Sequence, residues 1–98
     1  MMPISMIAEA IQEMRDAAAF YEDRREGLGQ DFLNAIREGI RKVQGTPNRW
    51  PAISVRSRRH RIDRFPYGLV YQIVNEEILV LAVMHLLRHP DYWKGREQ

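Results

Sequence analysis

The sequence predicts a single α+β domain in which a helical hairpin packs on a mainly antiparallel sheet of four to five strands. Through residues 7–43, apolar residues recur at three- and four-residue intervals, as in amphipathic helices. Residues 52–88 instead contain short apolar runs of strand length. With 98 residues and 45% hydrophobic content the chain has enough material for one modest core. We expect a helical hairpin over 8–45, an antiparallel sheet over 52–88 and a tail over 89–98.

The first half of the chain predicts two helices. Residues 8–24 carry one apolar stripe with most acidic residues off it, and residues 25–29 break the pattern with two glycines. A second periodic segment begins at Asp31 and stops at Gly45-Thr46-Pro47. Its acidic start and basic end suit the helix dipole. Before both helices, residues 1–6 predict a brief edge strand, because Ile4 and Met6 flank a polar residue.

Residues 50–64 predict the outer part of the sheet. Trp50 beside a proline is expected to fill the core at the end of the hairpin. Ile53 and Val55 alternate with polar residues, which predicts a half-buried strand. Residues 57–60 follow as a basic turn, and residues 61–64 are expected to form another strand with one exposed face.

Two apolar strands complete the sheet. Residues 69–74 and 78–84 are separated by Asn75-Glu76-Glu77, a break of hairpin length. The second strand is apolar on both faces, so it belongs in the middle of a sheet that is covered on both sides. It leads into His85, and a tail from Pro90 is expected to form one helical turn carrying Tyr92 and Trp93.

Charge is distributed unevenly along the chain. Residues 1–32 hold seven acidic and three basic residues, whereas residues 33–98 hold twelve basic and six acidic ones. This polarity indicates an anionic partner for the second half, although a solvated sheet face would have the same composition. Five of the basic residues lie within nine positions: Arg56, Arg58, Arg59, Arg61 and Arg64.

Several functional classes are excluded or disfavoured. There is no cysteine, hence no disulfide framework or thiolate metal site. No apolar run reaches the roughly 20 residues of a membrane span, and no signal pattern opens the chain, so we expect a cytoplasmic protein with no membrane partner. His60, His85 and His89 are too scattered for a metal site, and no phosphate-binding glycine loop or other cofactor motif is present.

The remaining chemistry is a basic cluster, a histidine at the exit of the buried strand and a tyrosine in the tail. Arginines can hold a scissile phosphate while a histidine or tyrosine moves a proton, as a metal-free ribonuclease requires. The same arginines would suit an acidic protein surface or a nucleic-acid backbone. His85 can equally be a satisfied histidine at the rim of the core.

Four segments, in this order and spacing, resemble the RelE/ParE toxins of type II toxin–antitoxin (plasmid stabilisation) systems. They are Ala17-Ala18-Ala19-Phe20-Tyr21-Glu22, Gly27-Leu28-Gly29-x-x-Phe32, Arg64-Phe65-Pro66-Tyr67-x-x-x-Tyr71 and Ile78-x-Val80-Leu81-x-Val83-x-His85-x-x-Arg88-x-Pro90-x-x-Trp93. The resemblance spans residues 8–93. It implies a bacterial or archaeal toxin that arrests growth, encoded beside an antitoxin that wraps and silences it in a hetero-oligomer. It also implies a helical hairpin on an antiparallel sheet.

The family divides by target, and this sequence is more similar to the ParE-like branch, which acts on DNA gyrase. RelE-like nucleases usually carry arginine at the position of Gly68, and the phrase Arg-Phe-Pro-Tyr favours ParE-like members. Leu87 departs from that branch, which often has arginine there. On this reading the resemblance implies target-binding residues Arg58, Arg59, Arg61, Arg64, His85, Arg88 and Trp93.

The alternative is a RelE-like toxin that cleaves mRNA at the ribosome. That reading implies a metal-independent nuclease site whose phosphate-binding and proton-transferring residues are Arg56, Arg59, Arg61, His85, Arg88 and Tyr92. A third possibility is a decayed family member that only binds its antitoxin.

Overall fold

Two antiparallel helices cover one face of a four-stranded sheet in a computed structural model that describes all residues, 1–98. The elements in chain order are β1 (Ile4–Met6), α1 (Ala8–Arg24), α2 (Leu28–Gly45), β2 (Ser57–Arg61), β3 (Tyr67–Val74), β4 (Glu77–His85) and a short 3₁₀ turn (Lys94–Arg96). The spatial order of the strands is β1–β4–β3–β2. β1 runs parallel to β4, and the other pairs are antiparallel. The predicted α+β class is confirmed, and no helix is long and apolar enough to cross a membrane.

β4 lies inside the sheet and is buried on both faces, as its apolar sequence predicts. Ile78 and Val80 point to the helices, where Phe32 is the largest partner. A β-bulge between the Val70 and Tyr71 pairs leaves an extra residue in β4. As a result Leu81 and Ala82, although consecutive, both pack on the face opposite the helices, which we call the tail face. The core of the tail face consists of Val70, Leu81, Ala82, Met84 and Trp93.

The turn between the helices is shorter than the glycine pattern predicts, so α2 begins at Leu28 rather than Asp31. Gly27 has a φ of 86°, the left-handed conformation that suits glycine. The carboxylate of Glu22 accepts hydrogen bonds from the amides of Gly27 and Gly29, both at 3.0 Å. A side chain from α1 thus satisfies the free amides at the start of α2, and Gly29 lies inside the helix.

The predicted strands at 53–56 and 61–64, with a turn between them, are wrong: the strand is β2, at Ser57–Arg61. The hydroxyl of Ser54 accepts hydrogen bonds from the amides of Arg56 and Ser57. This bonding turns the chain where alternation indicated a strand, and Val55 is fully exposed. β2 contains no apolar residue, so the usual strand signal was missing there.

The β3–β4 hairpin turns on two residues rather than the three that the sequence indicated. Asn75 and Glu76 both have positive φ, 51° and 63°, as in the type I′ turns that suit twisted hairpins. Glu77 already pairs with Val74.

The tail crosses the sheet as a strap on the tail face. Trp93, 1% exposed, fills the core there, and Tyr92 packs beside it. The Ser54 and Ser57 hydroxyls donate hydrogen bonds to the Glu97 carboxylate. The predicted helical turn lies slightly later, at Lys94–Arg96. On the helix side Trp50 packs against the main core, as predicted.

Candidate functional site

The end of β4 borders a cleft that is open because β1 is short. β1 pairs with β4 only as far as Val80, and α1 passes alongside the rest of the strand. The cleft has a volume of about 270 Å³. We call it the exit cleft; its lining includes Glu13, Asp16, Phe20, Tyr67, Val83, His85 and Arg88.

Glu13 of α1 closes one wall of the exit cleft. Its Oε1 accepts hydrogen bonds from the Val83 amide at 3.1 Å and from Nη1 of Arg96 at 3.0 Å. Its Oε2 lies 3.4 Å from Nη1 of Arg88. Arg96 also donates to the carbonyl oxygen of Leu81 at 3.0 Å. One carboxylate therefore accepts a hydrogen bond from the open edge of β4 and pairs with two arginines from the tail.

His85 is held by its neighbours. Its Nδ1 accepts the Leu87 amide at 3.1 Å, so the proton of the neutral ring resides on Nε2. The ring packs edge-on against Tyr67, with centroids 5.0 Å apart. Burial raises the pKa of Tyr67 above its ordinary value, so its hydroxyl stays protonated at neutral pH. His85 lies on the rim of the core with one ring nitrogen already engaged.

Tyr92 and Trp93 belong to the core rather than to an accessible surface. The guanidinium of Arg88 lies 3.8 Å from the centroid of the Tyr92 ring. The Tyr92 hydroxyl is buried without a hydrogen-bond partner, and burial raises its pKa strongly. It is therefore a poor proton donor. The Trp93 ring is buried. It therefore has no exposed surface with which to make the predicted contact with a target.

The arginines of residues 56–64 point in different directions. Arg58 faces the helices and donates to the Trp50 carbonyl at 2.7 Å. Arg56 lies outside the strand, 3.4 Å from the Gln98 carbonyl, and Arg64 lies 3.5 Å from Asp31. Arg59 and Arg61 alternate onto the tail face together with Ser57.

Gly68 makes room for Arg59. A Cβ at position 68 would lie 2.9 Å from Cγ of Arg59, closer than such atoms approach in proteins. The aliphatic part of Arg59 therefore passes over the glycine. The position where RelE-like nucleases were expected to carry arginine thus supports an arginine from the neighbouring strand.

The predicted site residues divide between the two faces of the sheet. Tyr67, the cross-strand partner of His85, packs on Phe32 of α2, which places His85 on the helix face. Arg59 and Arg61 are on the tail face. His85 and Arg88 share the exit cleft, but β3 separates them from the arginines of β2.

Sequence reasoning did not identify Glu13, Phe20 and Arg96 as site residues. Glu13 was one of several acidic residues off the helical stripe, and nothing distinguished it from Glu9. Its partners lie 70 and 83 positions later. Phe20 did stand in one of the family-like segments, and its 49% exposure is unusual for a phenylalanine.

Two helices on a four-stranded mixed sheet whose last long strand leads into a charged cleft are consistent with the fold of the RelE/ParE class of small toxins. Among solved structures, the chain is similar to one titled "Chromosomal ParDE TA system from P. aeruginosa", with a TM-score of 0.72 and 17% identity. The match covers 88% of this chain and 97% of that one, and shows a shared fold. A comparison with curated proteins gave no match.

The sequence itself gives the narrower assignment. Residues 5–90 match the family described as "ParE toxin of type II toxin-antitoxin system, parDE". Because this match covers most of the chain, the protein belongs to the ParE toxin family of type II toxin–antitoxin systems.

Proposed function

We propose that this toxin inhibits DNA gyrase and is neutralised by a cognate antitoxin. Membership of the ParE family supports this target, because the resemblance to the ParE-like branch implies action on DNA gyrase. The proposed target-binding residues are those that are exposed or half-buried and reach the surface: Arg59 and Arg61 on the tail face, Arg64 before β3, and His85 and Arg88 at the exit cleft.

One observation carries the choice against a nuclease: Arg59 and Arg61 lie on the opposite face of the sheet from His85, and Arg88, which shares the exit cleft with His85, is paired with Glu13. A nuclease needs its phosphate-binding and proton-transferring groups within hydrogen-bond reach of the same substrate atoms. His85 is on the helix face, Arg59 and Arg61 are on the tail face, and the Tyr92 hydroxyl is buried. Arg59 and Arg61 therefore offer charge for binding with neither His85 nor the Tyr92 hydroxyl beside them.

The exit cleft is the proposed antitoxin site. Phe20 and Tyr67 provide apolar surface, and Asp16 and Arg88 provide charge of both signs around it. The similar structure is titled a ParDE system, which supports an antitoxin partner here. Strand addition along β2, the outer strand of the sheet, has less room, because the Arg59 amide already donates to the Pro51 carbonyl.

A supercoiling and cleavage assay with purified cognate gyrase tests the target. Increasing amounts of the protein should give linear, gyrase-linked DNA. Arg59→Ala/Arg61→Ala should weaken inhibition about tenfold or more, as expected for a central contact pair. His85→Ala should weaken inhibition without abolishing it, because it removes one contact from a binding surface that needs no proton transfer. Uninhibited gyrase together with mRNA cleavage on ribosomes would overturn the proposal in favour of the RelE-like reading.

Co-expression with the antitoxin tests the neutralising surface. Phe20→Asp should reduce co-purification of the antitoxin, because it places a charge in the apolar centre of the cleft. Val55→Asp is a matched control, since Val55 is also exposed but lies in the loop before β2, outside the cleft. Equal loss with both variants would move the antitoxin site elsewhere.

A further inference from the structure

A second charged surface surrounds Trp50, outside the exit cleft. Two depressions of about 300 and 450 Å³ both have Trp50 in their lining. Arg59 and Arg61 line the first, and Lys42 and Arg49 line the second. We call these four cationic residues, together with Trp50, the Trp50 patch.

The arginines of the Trp50 patch have no anionic partner in the protein. Arg49, Arg59 and Arg61 make neither an ion pair nor a side-chain hydrogen bond. Lys42 alone is paired, 3.1 Å from the exposed carboxylate of Asp63. Guanidinium groups without internal partners keep all their donors for an external anion, and their planar fork suits phosphate oxygens.

The edge of β2 adds a backbone donor. The Arg59 amide points away from β3, because it bonds to Pro51 outside the sheet. By the alternation of an antiparallel pair, the Arg61 amide points the same way, and it has no partner. Main-chain amides beside arginines commonly bind phosphate oxygens of nucleic acids.

We propose that the Trp50 patch binds the phosphate backbone of duplex DNA directly, without gyrase or antitoxin. Single-strand binding needs an open aromatic platform, but His60 lies 4.1 Å from the Trp50 ring and Arg49 lies 5.1 Å from it. A protein partner would need an apolar centre, but Trp50, the one large apolar residue that lines the depressions, is partly buried and packs against His60 and Arg49. The contact is therefore electrostatic and independent of base sequence.

Fluorescence anisotropy with a short labelled duplex, in the absence of gyrase, tests this site. For three arginine–phosphate contacts the slope of log K against log salt concentration should be about −3. Arg49→Ala/Arg59→Ala/Arg61→Ala should lower affinity at least about tenfold at low salt and bring the slope close to zero. Thermal unfolding of each variant establishes that it is folded.

The matched control removes the same charge elsewhere. Arg15, Arg24 and Arg37 are exposed on the helices and likewise lack ion pairs, so Arg15→Ala/Arg24→Ala/Arg37→Ala should retain the salt slope and most of the affinity. Equal losses in both triple variants would show a general charge effect and overturn the proposal. So would tighter binding to single-stranded RNA than to the duplex, or no binding at low salt.

This proposal and the proposed gyrase target share Arg59 and Arg61, so the wild-type protein in the two assays distinguishes them. Gyrase inhibition without duplex binding would refute the DNA site and leave the proposed target standing. Duplex binding without gyrase inhibition would refute the proposed target and leave the DNA site standing.

Discussion

The exit cleft and the Trp50 patch both contain arginine beside an aromatic residue, but they differ in whether a carboxylate of the protein pairs with the arginines. In the exit cleft, Glu13 bonds to Arg96, Arg88 and the amide of Val83. In the Trp50 patch, Arg49 and Arg61 meet no carboxylate. Arg96 therefore contributes to stability beside the exit cleft, whereas Arg49 and Arg61 keep all their donors for a partner. The difference arises from α1, which brings an acid to one end of the sheet and none to the other.

Glu13→Ala should give the largest effect, a loss of about 2–3 kcal/mol in the free energy of unfolding. The variant leaves the Val83 amide without an acceptor and removes the carboxylate partner of Arg96, in a region where Glu13 is only 15% exposed. Urea unfolding monitored by circular dichroism measures the change.

Two variants control for this loss. Glu13→Gln keeps an acceptor for the Val83 amide and should lose less, and Glu9→Ala, exposed on the same helix without a partner, should change stability by less than about 0.5 kcal/mol. If Glu13→Ala were as mild as Glu9→Ala, the two regions would not differ in the way described.

A smaller effect is expected from acid, through His60 beneath the Trp50 patch. Burial, followed by the charge of Lys42, lowers the pKa of His60 below 6.5, against an opposing contribution from Asp63. The unfolded chain therefore binds a proton first. Stability is fully present above about pH 6.5 and falls as pH drops toward the lowered value.

Urea midpoints of the wild type between about pH 7.5 and 5 should show this decline. His60→Gln should flatten it, whereas His89→Gln, an exposed histidine, should leave it unchanged. A decline that persisted in His60→Gln would assign the acid sensitivity to another group.

The smallest effect should come from the Trp50 patch arginines themselves. Arg49→Ala and Arg61→Ala should each change stability by less than about 0.5 kcal/mol, because neither side chain has an ion pair or a hydrogen bond to lose. The same urea titration checks this. Losses comparable with Glu13→Ala would show that these arginines are structural, which would contradict the contrast between the two regions.

Elements with a clear apolar period were predictable, and those without one were not. The sequence located α1 at residues 8–24 and the two long strands to within two residues. It missed β2 because Ser57–Arg61 contains only serine, arginine and histidine. His60 is nevertheless only 5% exposed, since α2 approaches closely at Gly39. Burial of a polar strand depends on what packs on it, and the strand itself carries no such signal.

The site was predictable in its parts and not in its assembly. His85 and Arg88 were identified from the strand exit, and they share one cleft. The sequence did not predict that the sheet separates them from Arg59, because a cluster of basic residues in sequence does not show on which face of the sheet each one lies. Assigning faces requires the strand register, and the register here was shifted by the Ser54 turn.

By itself, the sequence determined the α+β class, the helical hairpin, the central position of β4 and the resemblance to a toxin family. These follow from local periodicity and residue order, which depend on neighbours only a few positions away. The tertiary structure alone decided which arginines are neutralised and which are free. An ion pair such as Glu13 with Arg96 joins residues 83 positions apart, and only the folded chain brings its two charges within 3.0 Å.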